Sequence, residues 1–379
     1  MKVLHLNANY LYTNLHQCMI RTLTGLGIDN QVFVPIHTRN NLVVTPDKNV
    51  KTSICYKKWD RLFFDNKQKK IKKALETNLA VNDFNLIHAY TLFTDGNCAY
   101  ELSKKYGVPY VVAVRDTDVN VFFRHMSCLR NRGVEILNNA AAVFFLSPAY
   151  KQQVLAKHVP EALKKHIEDK SYIIPNGIDD FWLDNSYTER DFIKIKKRLL
   201  EKQVRIIFVG TICKRKNPLT ILKAMDLLEK RGYKVEFTVA GGLADKHIAK
   251  VLLSDKRVCY AGKLTKNDLL ERYRKNDIFV MPSLTETFGL VYAEAMSQGL
   301  PVIYTKGQGF DGQFPEGTVG YHVDGKDPED VANAIEKIIE RYEAISEGCI
   351  KNVAKFKWNT ICENYKSIYE EICGVQNEE

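Results

Sequence analysis

The sequence predicts an α/β protein built as two Rossmann-like domains facing a cleft. Three observations carry this. Short apolar runs alternate with helix-length segments along most of the chain. The alternation runs through once and then a second time. At 379 residues, the chain exceeds what one ordinary hydrophobic core supports. Strands that alternate with helices form parallel sheets covered on both faces, and such sheets bind ligands beyond the carboxyl ends of their strands.

The first half opens on an apolar run, Val3 to Leu6, read as a buried strand. After the polar loop "NANYLYTN" comes a helical pattern through Met19, Leu23 and Leu26, closed by Gly27. "NQVFVPI", "NLIHAY", "PYVVAV" and "AAVFFLS" are further strands, and "SYIIPNGIDDF" ends the half with a strand and an Asn-Gly turn. In the second half "VRIIFVG", "KVEFTVAGG", "RVCYAG", "DIFVMPS" and "PVIYT" are strands. "PLTILKAMDLLEKRG", "KNDLLERYRK" and "GLVYAEAMSQG" are the helices between them. The expected domains are residues 1–180 and 200–355, with a charged connector between them.

The start, "MKVLHLNANY", lacks the apolar core of a signal peptide, and no run approaches the roughly 20 apolar residues of a spanning helix. The nine cysteines are scattered without a C-x-x-C pair, which points to free thiols rather than zinc or a redox couple. A cytoplasmic location is expected. The net charge of +10 attracts anions such as nucleotide phosphates, anionic lipid or nucleic acid. Part of it lies in residues 57–75, where Lys67, Lys69, Lys70, Lys72 and Lys73 stand near Trp59, Phe63 and Phe64. This segment is either a helix lying on a membrane surface or a solvated basic face with its aromatics tucked inward.

The stretch "MPSLTETFGLVYAEAMSQGLPVIY", residues 281–304, places Glu286 eight positions before Glu294. A helix beginning near Gly289 puts the first carboxylate in the loop and the second about two turns in. Eight helical residues cover about 12 Å. That exceeds the ~5 Å between the carboxylates of a retaining glycosidase, so the two acids do not attack one bond from opposite sides. They suit the two ends of an extended ligand. The helix N-terminus between them offers free amides and a positive dipole end to phosphate. Hydroxyls at both ends with phosphates in the middle describe a nucleotide diphosphate sugar. The bland alternative is two solvent-facing glutamates on an ordinary helix.

This stretch resembles the E-x7-E signature and Gly-x-Pro-Val strand of the retaining GT-B glycosyltransferases of family 4. "IPNGID" at 174–179, "FVGTICKRKNP" at 208–218, "IHAYTLFTDG" and "PYVVAVRDTDVN" resemble further family segments in the same order. The resemblance implies that Glu286 contacts the donor sugar and Glu294 holds the ribose hydroxyls. It implies that Thr287 and the amides of Phe288, Gly289 and Leu290 meet sugar and phosphate oxygens, and that Lys216 balances the diphosphate. Gly210, Thr211 and Gly241 would let the backbone approach the nucleotide. Asn9, Arg115 and Asp118 would face the cleft on the acceptor side, His88 at a strand end either faces the cleft with them or is structural, and residues 356–379 would pack back on the first domain. The implied partners are a nucleotide diphosphate sugar and a saccharide or lipid-linked acceptor in polysaccharide assembly, at the inner membrane face if residues 57–75 touch lipid. No cofactor or metal and no nucleic acid is implied.

Two departures stand out. Thr211 follows the phosphate-loop glycine where the family commonly has arginine, so Arg215 or Lys214 is expected to supply the charge. Arg115 stands where many members carry histidine, and a guanidinium binds anions but is no base at neutral pH. "DTD", Asp116 to Asp118, has the D-x-D spacing that binds metal in the GT-A fold, here assigned instead to orienting Arg115 or an acceptor hydroxyl. "VAGG" lacks the G-x-G-x-x-G spacing of a dinucleotide site. The three-glycine segment "YTKGQGFDGQF" either lines the donor site or is a mobile loop. A GT-B-fold epimerase or hydrolase, and a basic nucleic-acid-binding protein, are the competing readings.

Overall fold

The computed structural model describes residues 1–37, 47–187 and 189–374. The chain divides into two compact units, Met1–Gly177 with Trp358–Glu379, and Ile178–Lys357.

The first unit is built on seven parallel strands: β1 (Lys2–Leu6), β2 (Asp29–Ile36), β3 (Val50–Ile54), β4 (Leu86–Ala89), β5 (Tyr110–Val114), β6 (Ala142–Phe145) and β7 (Ser171–Ile173). Their order is β3-β2-β1-β4-β5-β6-β7. Strand β1 lies between β2 and β4, with Leu4 opposite Gln31 and Ile87. Successive side chains of a strand face opposite sides, so each strand feeds two core layers. Leu4 and Leu6 join the layer made with helices Phe64–Asn78, Thr94–Tyr106 and Arg130–Asn139. Val3 joins the layer made with helices Leu15–Gly25 and Trp358–Cys373. The C-terminal helix is pinned at its start, where the Trp358 ring lies against Gly177 so closely that a Cβ there would fall 2.4 Å from it.

The second unit carries β8 (Gln203–Val209), β9 (Lys234–Ala240), β10 (Val258–Gly262), β11 (Ile278–Val280), β12 (Val302–Thr305) and β13 (Gly320–Val323) in the order β10-β9-β8-β11-β12-β13. All pairs are parallel. Both sheets reverse direction beside their first strand, the arrangement that opens a ligand crevice at the carboxyl ends.

Two strands escaped the sequence reading. β3, "VKTSI", has only one buried side chain and shows no apolar run. β13, "GYHV", is four residues long and starts on Gly320, which admits the Val302 carbonyl where a Cβ would stand 1.8 Å away. Residues 57–75 also differ from the inward-tucked reading. Trp59, Leu62 and Phe63 are 76%, 77% and 64% exposed, because they fall in and just after the 3-10 turn Lys58–Leu62 that precedes the helix. Phe64, one residue into that helix, is the aromatic that packs on the core. All nine cysteines are free. Among the described residues no helix is long and apolar enough to cross a membrane.

Candidate active site

In the second unit the site grows out of the carboxyl ends of β8 and β11. After β11 the chain runs through Met281–Phe288 and turns into helix Leu290–Ser297 at Gly289. Gly289 has φ +79°, and a Cβ there would strike the Tyr292 ring at 2.4 Å, so only glycine makes this turn. The Phe288 side chain is buried against Phe310 and Phe356, with ring centroids 5.9 and 5.4 Å away. Phe288 therefore offers the site its backbone. The amides of Phe288, Gly289 and Leu290 make no hydrogen bond among the described residues. Three aligned donors at a helix N-terminus form a seat for an anion.

Glu286 stands beside this seat and is buried. Its carboxylate pairs with the Lys216 ammonium, accepts from the Ser283 hydroxyl at 3.2 Å, and lies 3.9 Å from the Arg215 guanidinium. Lys216 arrives from the loop after β8, in the turn Lys214–Lys216. That loop is stitched to the Glu286 segment along its length. Leu284 N–H donates to the Arg215 carbonyl (2.8 Å), Arg215 donates to the Thr285 carbonyl (2.9 Å), and Asn217 Nδ2 donates to the Pro282 carbonyl (3.0 Å). Lys216 is thus a pre-aimed cation with only 12% of its side chain exposed, whereas Arg215 is half open to solvent. Gly210 and Gly241 pass backbone to backbone at the ends of β8 and β9. Gly241 has φ +139°, and a Cβ on it would fall 1.9 Å from the Gly210 carbonyl oxygen. Thr211, next along, is exposed.

Glu294 sits in the second turn of the helix, half-buried. Burial pushes its carboxyl up to about 7. Nearby Lys266 pulls the other way and Asp179 adds to the rise. Lys266 is itself committed to Asp179 at 2.5 Å. The Glu294 carboxylate has no hydrogen bond or ion pair among the described residues. A desolvated, unpartnered carboxylate costs stability and persists where a ligand uses it.

In the first unit, Asp118 is buried and accepts from three amides: Leu92 (3.0 Å), Phe93 (3.2 Å) and Arg115 (2.9 Å). Burial raises its carboxyl to about 6 against the pull of those amides and of Arg115. It fixes the loops after β4 and β5 to each other. Arg115 is held by the Tyr90 carbonyl (3.2 Å) and Asn176 Oδ1 (2.9 Å) and stays half-buried. Asp116 is engaged separately, by Asn120 (2.6 Å) and Tyr150 (3.1 Å), so the D-x-D pair does not converge on one point. Asn9 is exposed just after β1. His88 is fully buried: it stacks on Tyr90 at 4.3 Å, and its Nδ1 hydrogen-bonds the Tyr369 hydroxyl at 2.5 Å. Burial drives its imidazole well below the usual range. A neutral histidine in the core does not reach a ligand.

Residues 189–356, within the second unit, match the family model described as glycosyl transferases group 1. Among curated proteins, the chain is 31% identical over 180 residues to a D-inositol 3-phosphate glycosyltransferase of Corynebacterium kroppenstedtii, which is 44% of this chain and 40% of that one. It is 25% identical over 312 residues to the protein of the same name from Paenarthrobacter aurescens, 77% of this chain and 74% of that one. The chain therefore spans two fifths of the first relative's length and about three quarters of the second's. Among solved structures, sucrose-phosphate synthase from Thermosynechococcus elongatus matches with TM-score 0.75 over 99% of this chain and 100% of that one at 18% identity. Anabaena HepE in complex with UDP-glucose matches with TM-score 0.65 over 99% and 100% at 17% identity. At these identities the likeness fixes the fold, the two-Rossmann GT-B architecture.

Within the residues that match the family model, Glu286, Lys216, Arg215, Phe288, Gly289 and Leu290 converge on one place, and Gly210 and Gly241 meet at the neighbouring strand ends. Sequence reasoning missed Ser283, Asn217 and Gln308. Ser283 and Asn217 are the polar residues that complete the Glu286 and Lys216 geometry, three and one positions from those residues. Gln308 lies in the three-glycine segment already singled out, and its amide oxygen accepts from Glu286 N–H.

Proposed function

We propose that the chain is a retaining glycosyltransferase that moves a hexosyl unit from a nucleotide diphosphate sugar to an acceptor hydroxyl. The observation that carries this is the grouping of a paired, buried Glu286 and Lys216 with three unpartnered amides at the head of a helix whose second turn bears an unpartnered Glu294. The diphosphate sits on the amides of Phe288, Gly289 and Leu290. Glu294 accepts from the ribose hydroxyls, and Glu286 contacts the sugar. When the glycosyl–phosphate bond breaks, the electron pair leaves with the diphosphate. Lys216 and the helix amides already face that charge, so no solvent has to reorganise and no divalent metal is needed. Arg215 adds a more flexible positive charge. The UDP and UDP-glucose complexes of HepE make uridine sugars the first donors to try.

The first unit takes the acceptor, with Arg115 as the anion-binding side chain, Asp118 holding its main chain, and Asn9 at the mouth of the β1 loop. The exposed Trp59, Leu62 and Phe63 lie close in sequence to the exposed Lys57, Lys58 and Lys69, which suits contact with an anionic membrane face and a lipid-linked acceptor in polysaccharide assembly.

A thermal-shift panel of UDP, GDP and ADP sugars tests the donor reading. One nucleotide should raise the melting temperature of the native protein by several degrees and leave Glu286→Gln turnover near background. A panel with no shift for any nucleotide rejects it. Charge reversal at Lys69, Lys70, Lys72 and Lys73 should abolish co-sedimentation with phosphatidylserine vesicles, and unchanged co-sedimentation removes the membrane contact.

A further inference from the structure

We propose that Gln308 is a positioning residue that fixes the placement of Glu286, a role that rests on the donor-site reading above. The peptide units around Glu286 are gripped from both sides by the loop that follows β12. On one side Glu286 N–H donates to Gln308 Oε1 at 3.0 Å, and on the other Gly309 N–H donates to the Glu286 carbonyl at 3.0 Å. The approach is close enough that a Cβ on Gly309 would lie 1.9 Å from the Thr287 carbonyl oxygen and 2.8 Å from that of Glu286. A backbone amide can only donate, so Gln308 must present its oxygen here and direct its NH2 elsewhere.

The loop that provides this grip is itself anchored. Phe310 is buried among Tyr292, Tyr304 and Phe356, with centroids at 4.8, 5.1 and 6.0 Å. Asp311 accepts from Gly307 N–H at 2.7 Å and lies 2.9 Å from His322 Nδ1 on β13. Glu316 accepts from the Tyr304 hydroxyl and the His322 amide, both at 3.0 Å. The carboxyl-rich segment thus ties the loop to β12 and β13, and Gln308 passes that rigidity to Glu286. Lys216 and Ser283 hold the carboxylate, while Gln308 and Gly309 hold the main chain that carries it. Misplacing a reacting group by a fraction of an ångström costs turnover more than binding.

The test compares wild type with Gln308→Met, which keeps length and loses the oxygen, and with Gln308→Glu, which keeps an acceptor. Two readouts are taken: steady-state turnover on the nucleotide sugar that gives the largest thermal shift, and hydrogen exchange of the peptide spanning 285–289. Gln308→Met should lower kcat about tenfold, leave KM for the donor within twofold, and speed exchange of the Glu286 amide about tenfold, the scale of one net hydrogen bond. Gln308→Glu should restore the slow exchange. Wild-type kcat and wild-type exchange in Gln308→Met overturn the proposal. A wild-type protein that turns over no nucleotide sugar overturns the donor-site reading alone, and the exchange comparison then still decides whether Gln308 holds Glu286.

Discussion

Replacing Glu294 by glutamine should make the unliganded protein more stable and the nucleotide complex weaker. Burial raises the carboxyl from its ordinary 4.5 to about 7. A folded-state value above the unfolded one means that the native state holds the proton more tightly. Below pH 4.5 both states are protonated and the group contributes nothing against folding. As pH rises from 4.5 to 7, only the unfolded state ionises freely, and the native state loses stability. Above 7 the penalty is complete. At roughly 1.4 kcal/mol per pH unit, the ceiling is about 3 kcal/mol, and half-burial trims it to about 1–2 kcal/mol. Glutamine removes the charge and keeps the shape. For a unit of this size each kcal/mol moves the melting temperature by about 2–4 °C, so a gain of about 3–6 °C is expected at pH 8. At pH 4.5 no difference is expected. The assay is differential scanning fluorimetry at both pH values, with and without the nucleotide that shifts wild type most. The nucleotide-induced shift should largely vanish in the variant, because a neutral amide accepts the ribose hydroxyls less strongly. A variant that is no more stable at pH 8 than at pH 4.5, relative to wild type, refutes the argument that this carboxylate is kept strained for a ligand.

Lys216→Met should lower kcat/KM by about two to three orders of magnitude, since a pre-aimed donor to developing negative charge carries about 3–4 kcal/mol. Initial rates at subsaturating donor measure this, and a loss below fivefold contradicts the assigned role. Asp118→Asn should cost the first unit about 2–3 kcal/mol in urea unfolding, because one carbonyl oxygen and an opposing NH2 cannot satisfy three amide donors. An unchanged urea midpoint would show that the carboxylate does not organise those loops. Excess chelator should leave transfer unaffected, as Lys216 and the helix amides supply the positive field, and loss of activity restored by manganese would show that a metal takes part.

The doubly wound character of both halves was legible because buried parallel strands are near-continuous apolar runs, as in "VRIIFVG" and "AAVFFLS". β3 and β13 were not, since edge strands bury few side chains and need no apolar run. At the site, Glu286 and Lys216 stand 70 positions apart in sequence yet form an ion pair, a contact that spacing alone could not give. Gly289 was readable as a turn, but that only glycine fits depends on Tyr292 folding back beneath it. His88 follows an apolar run at a strand end, which put it near a ligand on paper. The Tyr369 hydroxyl that claims it comes from the far end of the chain. The exposure of Trp59 and Phe63 turned on where the helix begins, a boundary that periodicity fixes poorly.

The measurement that bears most directly on the central claim is a crystal structure with the nucleoside diphosphate giving the largest thermal shift. The expected density places ribose hydroxyls on Glu294, and phosphate oxygens on the amides of Phe288, Gly289 and Leu290 and on Lys216. Density that seats the nucleotide elsewhere, with both glutamates turned away from it, would contradict the account.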